Sequence, residues 1–488
     1  MTAVAPVTPR PGPPLRRIRD LPGPPGLPLL GNALQINSER VHRTLEKWAG
    51  EYGPAFRFRI TSREFVVVSN PETVAAILRD RPDGFQRSSR FSETAKEMGF
   101  SGVLSAGGDA WKRQRPMVLS GLDPSHLKAF FPTLAKVTER LSRRWRHAAA
   151  HDRAIDLQPD LMRYTVDVTA GLAFGSDINT LESNEEVIQS HLDKVFPAFF
   201  KRVMAPVRHW RYVKLPADRR IERHLAALRS AVQGFISEAR QRLERNPQLR
   251  ERPRNLIEAM LSARDREGSG LTDEDVSGNV LTMLLAGEDT TANTLAWMIW
   301  LMHRSPEAAR RAADEARAVL AGKTHLTDHQ HLNELEFVEA CAHETMRLKP
   351  VVPINTVQAL RDTVVEGIAL PAGSLLICLM RPAAVDPDRF PDPCAFRPER
   401  WLAGAAQSAF ASKRVAMPFG AGPRICPGRY LALAEMKMVI ATLFGTFDIE
   451  SVRTPDAAEP RERLTLTMSP VGLRMRLRDR KAEGAQGT

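Results

Sequence analysis

The sequence predicts a mostly helical α+β fold with small β-sheets, and three observations lead to it. Helical periodicity dominates from about residue 71 to about residue 350. β-tending stretches are confined to three places far apart in the chain, near 55–69, 354–380 and 464–477. No convincing linker divides the 488 residues. One large domain over 21–478 is therefore expected, between a flexible basic arm at 1–20 and a flexible tail at 479–488.

Taken in order, the arm holds Arg10, Arg16, Arg17 and Arg19, followed by Leu21-Pro-Gly-Pro-Pro-Gly26. Repeated proline fixes φ and removes donors, which predicts a loose extended segment. Ala55 to Ile60 and Phe65 to Val68 alternate or are β-branched, which predicts a strand pair. The best-marked helix starts at Thr272, a good N-cap, with Asp273, Glu274 and Asp275 in the first turn, where acids favour the positive dipole end. It is expected to run to about Met302, a rod of about 45 Å. Leu281 to Ala286 and Leu295 to Met302 are almost wholly apolar, so this helix is read as buried. Yet Gly287, Glu288, Asp289, Thr290 and Thr291 interrupt it. Buried carboxylates cost several kcal/mol unless partnered, and an interior glycine costs about 1 kcal/mol. Two such costs at one spot mark either a locally solvated turn or a place where something approaches the helix.

Composition excludes several classes. The chain is 43% hydrophobic and 26% charged, ordinary for a globular protein. Cys341, Cys378, Cys394 and Cys426 form no C-x-x-C pair, which argues against a zinc ribbon, and their sparseness fits a reducing, cytoplasmic compartment. No apolar run approaches the ~20 residues of a transmembrane helix, and the N-terminus lacks the pattern of a signal peptide. The net charge of +12 serves solubility or an acidic docking partner. No dense basic run interleaved with aromatics points to nucleic acid. The arm is a candidate for weak contact with an anionic membrane.

The most specific signal is Phe419-Gly-Ala-Gly-Pro-Arg-Ile-Cys426-Pro-Gly428. Three glycines and two prolines in ten residues exclude a regular element. Gly420 and Gly422 permit tight turns. Arg424 puts a cation near the sulfur, and a helix expected over Leu431 to Phe444 starts just beyond it. Both favour thiolate over thiol, as a soft, electron-donating iron ligand requires. A lone cysteine is more often a small buried hydrophobe, the reading given to Cys341, Cys378 and Cys394. At Cys426 six spaced positions coincide, a match expected by chance about once in ten million starts. A phosphate loop is excluded, since no Gly-Lys-Ser/Thr follows.

This loop resembles the haem-binding loop of the cytochrome P450 family, F-G-x-G-x-R-x-C-x-G, at every fixed position. The resemblance extends over about residues 21–478 and includes three further motifs in the family's order. Glu344 and Arg347 resemble its E-x-x-R pair. Phe396-Arg-Pro-Glu-Arg400-Trp401 resembles its P-E-R-F segment, with tryptophan in place of phenylalanine. Ala286-Gly-Glu-Asp-Thr-Thr291 resembles its oxygen-activation signature, and Trp111-Lys-Arg-Gln-Arg115 its W-x-x-x-R segment.

The resemblance implies a triangular helical fold with a long central helix over haem b, and Cys426 as the iron ligand. It implies a structural Glu344–Arg347–Arg400 network. Gly287 would let haem and dioxygen approach the backbone, and Asp289 with Thr290 would be the catalytic acid–alcohol pair. Trp111, Arg115 and Arg424 become candidates for the haem propionates, and Phe419 and Gly420 for the cofactor loop. One departure stands out. Many members carry an arginine in the strand after the E-x-x-R helix as a further propionate partner, and here that position is Val357. Gln358 or Arg361 compensates, or there is one contact fewer.

The implied reaction puts one atom of dioxygen into a lipophilic small molecule by hydroxylation or epoxidation. Its electrons would come from a separate ferredoxin or flavodoxin with its reductase. Lys112, Arg113, Lys413, Arg414 and Lys437 are candidate docking cations, and a monomer is expected. Pocket candidates by family position are Met98, Phe100, Val103, Leu104, Ala286, Thr291, Val351, Val352, Ile354 and Met468, with Thr467 beside the last. Phe196 to Tyr212 is a candidate lid, and its Arg202, Arg208 and Arg211 are candidates to meet an anionic substrate or surface. The alternatives are a peroxide-dependent peroxygenase, against which the Asp289–Thr290 pair argues, and a non-enzymatic haem sensor, which needs no such pair.

Overall fold

The computed structural model of the chain describes residues 15–183, 187–205, 207–402 and 412–480. Its helices are α1 (Val41–Tyr52), α2 (Pro71–Arg79), α3 (Ser89–Met98), α4 (Gly108–Leu119), α5 (Pro124–Ala150), α6 (Leu157–Phe174), α7 (Val187–Met204), α8 (Pro216–Arg245), α9 (Leu256–Arg264), α10 (Asp273–His303), α11 (Pro306–Leu320), α12 (Glu336–Leu348), α13 (Arg381–Ala384) and α14 (Arg429–Thr446). Its strands are β1 (Arg16–Arg17), β2 (Ala55–Ile60), β3 (Arg63–Val68), β4 (Phe85–Arg87), β5 (Ile155–Asp156), β6 (Ile354–Ala359), β7 (Thr363–Val365), β8 (Ile368–Leu370), β9 (Leu375–Leu379), β10 (Phe447–Arg453), β11 (Glu462–Leu464), β12 (Met468–Pro470) and β13 (Arg474–Asp479).

The long helix forms as its sequence demands. Thr272 and Asp275 make a reciprocal capping box, each side chain meeting the other's backbone N–H. The helix then runs 31 residues to His303, about 46 Å. Its C-terminal half, Ala292 to Trp300, is buried throughout. Helix α6 packs along it, and the Thr165 hydroxyl donates to the Glu288 carbonyl at 3.0 Å.

The largest sheet has the order β2-β3-β9-β6-β4. The β2–β3 hairpin stacks Phe58 on Phe65, with centroids 5.0 Å apart. β9 joins β3 in parallel from 310 residues away, Phe65 pairing with Leu375, so this sheet is a long-range construction. β4 closes the far edge antiparallel to β6, which sets Arg87 directly opposite Val357.

Two expectations about local structure are corrected. Arg16 and Arg17, expected in the loose arm, pair in parallel with Ile368 and Ala369, because the unpaired edge of β8 offers them backbone partners. Residues 1–14 and 481–488 lie outside the described residues. Phe447–Arg453, which carries no clear alternation, is a strand because it pairs with β13 along its length. No helix among the described residues is long and apolar enough to cross a membrane.

Candidate functional site

The cysteine loop is held by its own backbone. The Cys426 amide donates to the Phe419 carbonyl at 2.9 Å and the Gly420 amide to the Met417 carbonyl at 2.8 Å. Gly420 and Gly422 have φ of 76° and 71°, left-handed values that favour glycine. At Gly422 a Cβ would also lie 2.6 Å from the Arg79 backbone, so the loop is seated against the end of α2. The Gly428 amide hydrogen-bonds the Cys426 sulfur, and Arg115 and Arg429 send positive potential onto it. Burial outweighs these and pushes the thiol up from its ordinary value. A bound cation at the sulfur would act in the opposite direction and favour the thiolate. The expectation that Arg424 is the cation beside the sulfur is corrected. Its guanidinium turns away, donating to the Ala106 carbonyl and stacking over Trp111 at 4.9 Å.

Around Trp111 the structure gathers four arginines. Arg115 lies 5.9 Å from the Trp111 ring and donates to the Ile425 carbonyl. Arg87 donates to the Leu104 carbonyl at 2.8 Å, and Arg81 to the Leu78 carbonyl at 3.4 Å. The charges that reach these four groups are one another's, that of Arg429 and those of Cys378 and Cys426, with no carboxylate among them. Burial first, then Arg81 and Arg424, bring Arg87 down to about 9; burial, then Arg81 and Arg115, bring Arg424 down to about 10. The Nε atoms of Arg115 and Arg424 are buried without an acceptor. A cluster of buried cations with unused donors and no counter-charge is unstable by itself and suits an anionic guest.

Above the loop, α10 presents a partly accessible stripe at Met283, Ala286, Gly287 and Thr290, while its neighbours on other faces are closed. These positions share one helical face. Gly287 also meets a packing constraint. A Cβ there would lie 2.6 Å from Thr169 Oγ1, so the absent side chain serves the close packing of α6 on α10.

Asp289 and Thr290 do not bond each other. The Thr290 hydroxyl donates to the Ala286 carbonyl at 2.8 Å, a capped position on the open stripe. Asp289 lies around the helix, accepting from Asn293 Nδ2 at 2.8 Å and from the Thr467 hydroxyl. Asn293 is fixed in turn by Gln158, 2.8 Å away. Burial raises the Asp289 carboxyl, and the bonds from Thr467 and Asn293 pull it back. A cavity of about 350 Å³ runs from exposed Glu39 and Lys201 past Gln158 and Arg463 to Asp289. Asp289 therefore lines a passage that also reaches exposed residues.

Thr291 points away from the open stripe. It hydrogen-bonds Glu435 of α14, whose wholly buried carboxyl is pushed up to about 8 by desolvation. Among the other pocket candidates, Leu104, Val351 and Ile354 are partly accessible, and Val352 is 39% exposed. Met98, Phe100, Val103 and Met468 are closed in the core; Phe100 packs edge-on against Phe199 of α7 at 6.1 Å. Lys437 is no docking cation, because it is buried and bonds Glu339 and the Leu332 carbonyl. Lys112 pairs with Asp83 at 3.1 Å, while Arg113, Lys413 and Arg414 are exposed. The three lid arginines are committed within the protein. Arg202 holds Asp218 at 3.0 Å, and Arg208 and Arg211 hold Glu93 and Glu97 of α3.

Glu344, Arg347 and Arg400 come together as one network. Arg347 grips Glu344 through two bonds of 2.7 and 2.8 Å and donates to the carbonyls of Ala384, Pro393 and Ala395. Arg400 approaches Glu344 at 3.4 Å, and the Trp401 indole donates to it at 2.9 Å, a bond phenylalanine lacks.

A partly accessible cysteine in a glycine loop, a cradle of guanidiniums without a carboxylate partner among the described residues and an open helix stripe suit an anionic group that carries a metal. The residues present fit haem. The chain belongs to the cytochrome P450 family, whose family model matches residues 21–475 and whose members carry haem iron. It is similar to the self-sufficient cytochrome P450 monooxygenase CYP505E3 of Aspergillus terreus, 26% identical over 97% of this chain and 44% of that protein. It is also similar to cyclooctat-9-en-7-ol 5-monooxygenase of Streptomyces melanosporofaciens, 28% identical over 92% and 94%. Human cytochrome P450 4F12 is 27% identical over 84% and 79%. The chain thus spans less than half the length of the self-sufficient relatives and most of the others.

Sequence reasoning missed Arg81, Arg87, Asn293 and Glu435. The arginines flank a Pro-Asp-Gly turn with no motif around them. A buried carboxylate in the apolar run of α14 was the available signal for Glu435.

Proposed function

We propose that this chain is a haem-thiolate monooxygenase that puts one atom of dioxygen into a lipophilic small molecule. The carrying observation is the pairing of a partly accessible loop cysteine with arginines that meet no carboxylate among the described residues. Haem b, with its two propionates, matches that charge pattern. When bound it supplies dioxygen activation and electron storage. Cys426 serves as the thiolate ligand. Trp111, Arg115 and Arg424 hold propionate oxygens, which satisfies the guanidinium donors that lack acceptors.

Asp289 and Thr290 act in sequence. Asp289 takes up a proton from water in the passage and holds it at a carboxyl oxygen. Its bonds to Asn293 and Thr467 must break or rotate before that proton moves on. Thr290, on the open face, donates its O–H to the Ala286 carbonyl, which leaves its oxygen lone pairs to accept a hydrogen bond from the site. Ala286, Leu104, Val351 and Ile354 offer apolar walls and exclude water from the substrate. Electrons come from a separate ferredoxin or flavodoxin and its reductase, docking where Arg113, Lys413 and Arg414 are exposed. A cytoplasmic location fits the absence of disulfides among the described residues. We place the domain at 21–478, with Arg16 and Arg17 paired onto its β8 edge. The similarity to a monooxygenase named for a cyclic alcohol supports a lipophilic substrate.

Thr290→Ala tests the proton path. The variant should consume reductant at near the parent rate and release it as peroxide, with product per electron falling about tenfold or more. Unchanged coupling would contradict the role given to Thr290.

A further inference from the structure

Two polar side chains on the inner face of α3 lack the partners their burial demands. Arg90 is nine-tenths buried and Thr94 wholly so. The one side-chain hydrogen bond of Arg90 among the described residues runs from Nη2 to the Ala205 carbonyl, at the end of α7. Its Nε is buried without an acceptor. The acids on its own helix give it nothing, because Glu93 and Glu97 are exposed and held by Arg208 and Arg211. The Thr94 hydroxyl is also buried without a partner. Thr138, Thr282 and Thr345, likewise buried within helices, turn theirs back onto the carbonyl four residues before. Thr94 does not. Residues 90 and 94 are one helical turn apart, so the guanidinium and the free hydroxyl are neighbours on one face.

Their surroundings are apolar and lead to the site. Phe91 and Phe100 pack edge-on against Phe199 of α7, at 5.1 and 6.1 Å. The Ser92 hydroxyl donates to the Ser105 carbonyl at 2.8 Å, and the Val103 amide donates to Asn279 Oδ1 of α10 at 2.8 Å. Asn279 is one turn before Met283, where the open stripe of α10 begins. The inner face of α3 thus borders the region between α7 and that stripe. A buried guanidinium without a carboxylate carries a desolvation cost that an incoming carboxylate offsets and a neutral group does not. The lid arginines cannot take this part, since Asp218, Glu93 and Glu97 occupy them.

We propose that Arg90 and Thr94 form an anion-binding subsite, and that the lipophilic substrate is a monocarboxylic acid. The free guanidinium N–H groups and the Thr94 hydroxyl donate to its carboxylate oxygens. Its apolar body extends toward Thr290. The inference rests on the haem-thiolate reading above and narrows the substrate class of that same site.

The experiment measures binding to the holoenzyme by equilibrium dialysis at neutral pH. The probes are dodecanoic acid, abietic acid and biphenylcarboxylic acid, each beside its methyl ester. In the parent at least one acid should bind about tenfold or more tighter than its ester, the scale of a charged hydrogen bond. Arg90→Gln should abolish that preference. Arg90→Lys keeps the charge but not the fork, and should leave an intermediate preference. Thr94→Val, which preserves shape, should lower it about threefold. A residue that only ties α3 to the end of α7 would, when replaced, weaken acid and ester together and leave their ratio unchanged. An unchanged ratio in Arg90→Gln therefore overturns the inference. If that variant does not fold, an unchanged ratio in Arg90→Lys does the same. So does a parent that prefers no acid over its ester. The carbon-monoxide spectrum of the parent separates the two levels. A parent without the thiolate-type band removes the haem-thiolate reading and this inference with it, whereas an intact band with no acid preferred removes this inference alone.

Discussion

Two buried groups of arginines in this protein are built on opposite plans. In the α12 group, Arg347 is wholly buried and every arm is engaged, by both Glu344 oxygens and by three backbone carbonyls. In the Trp111 group, Arg81, Arg87, Arg115 and Arg424 meet carbonyls and one another but no carboxylate. The first group is complete as folded and ties α12 to the segment before the cysteine loop. The second has no carboxylate among the described residues, which suits the anionic guest proposed above. Motif matching alone does not make this distinction, because all of these residues are simply arginines near a loop.

The largest expected effect breaks the complete group. Arg347→Met leaves Glu344 buried with only Arg400, Trp401 and the Arg397 amide, and should cost about 3–5 kcal/mol in denaturant unfolding of haem-free and haem-bound protein alike. Equal stability of the variant would show that the network is ornamental.

Glu435 sharpens the comparison from the opposite sign, as a buried acid with a hydroxyl partner and no cation. Its folded carboxyl keeps its proton up to about pH 8, while its ordinary value is 4.5. Between those values the unfolded chain binds fewer protons than the folded one, so stability falls as pH rises through that window. Glu435→Gln should therefore flatten the pH dependence of the melting temperature from 4.5 to 8. The variant should gain a few kcal/mol near the upper end and nothing near the lower. A parallel shift at all pH values would mean that packing, not titration, sets its effect.

The smallest effect is the most discriminating, because its sign reverses. Arg424→Gln relieves repulsion in the incomplete group, so haem-free protein should become more stable by about 1 kcal/mol while haem retention weakens. Calorimetry of the two forms checks this. A loss of stability in both would place Arg424 with Arg347 as a structural cation.

What the sequence disclosed was the chemistry written within a few consecutive residues. Thr272 with Asp275, the glycines around Cys426, and Glu344 one turn from Arg347 were legible because local backbone geometry fixes them. The polar interruption of α10 was legible as an anomaly, but its internal division was not. Gly287 answers to Thr169, Asp289 to Thr467 and Thr291 to Glu435, three partners from three distant segments. Arg87 was invisible for the same reason. Its position depends on a strand register joining residues 85–87 to 357–359, which no local pattern encodes. Lys437 misled because a lysine on a helix is ordinarily solvated, and here it is drawn inside by Glu339 and the Leu332 carbonyl.

We propose that Cys426 gives a thiolate to haem iron against the burial that pushes its thiol up. The most direct test is the absorption spectrum of the reduced, carbon-monoxide-bound protein beside that of Cys426→Ser. The parent should show the red-shifted Soret band of a thiolate complex, and the variant should lose it. A parent spectrum with the band of a nitrogen- or oxygen-ligated haem, or a variant that keeps the thiolate band, would contradict it.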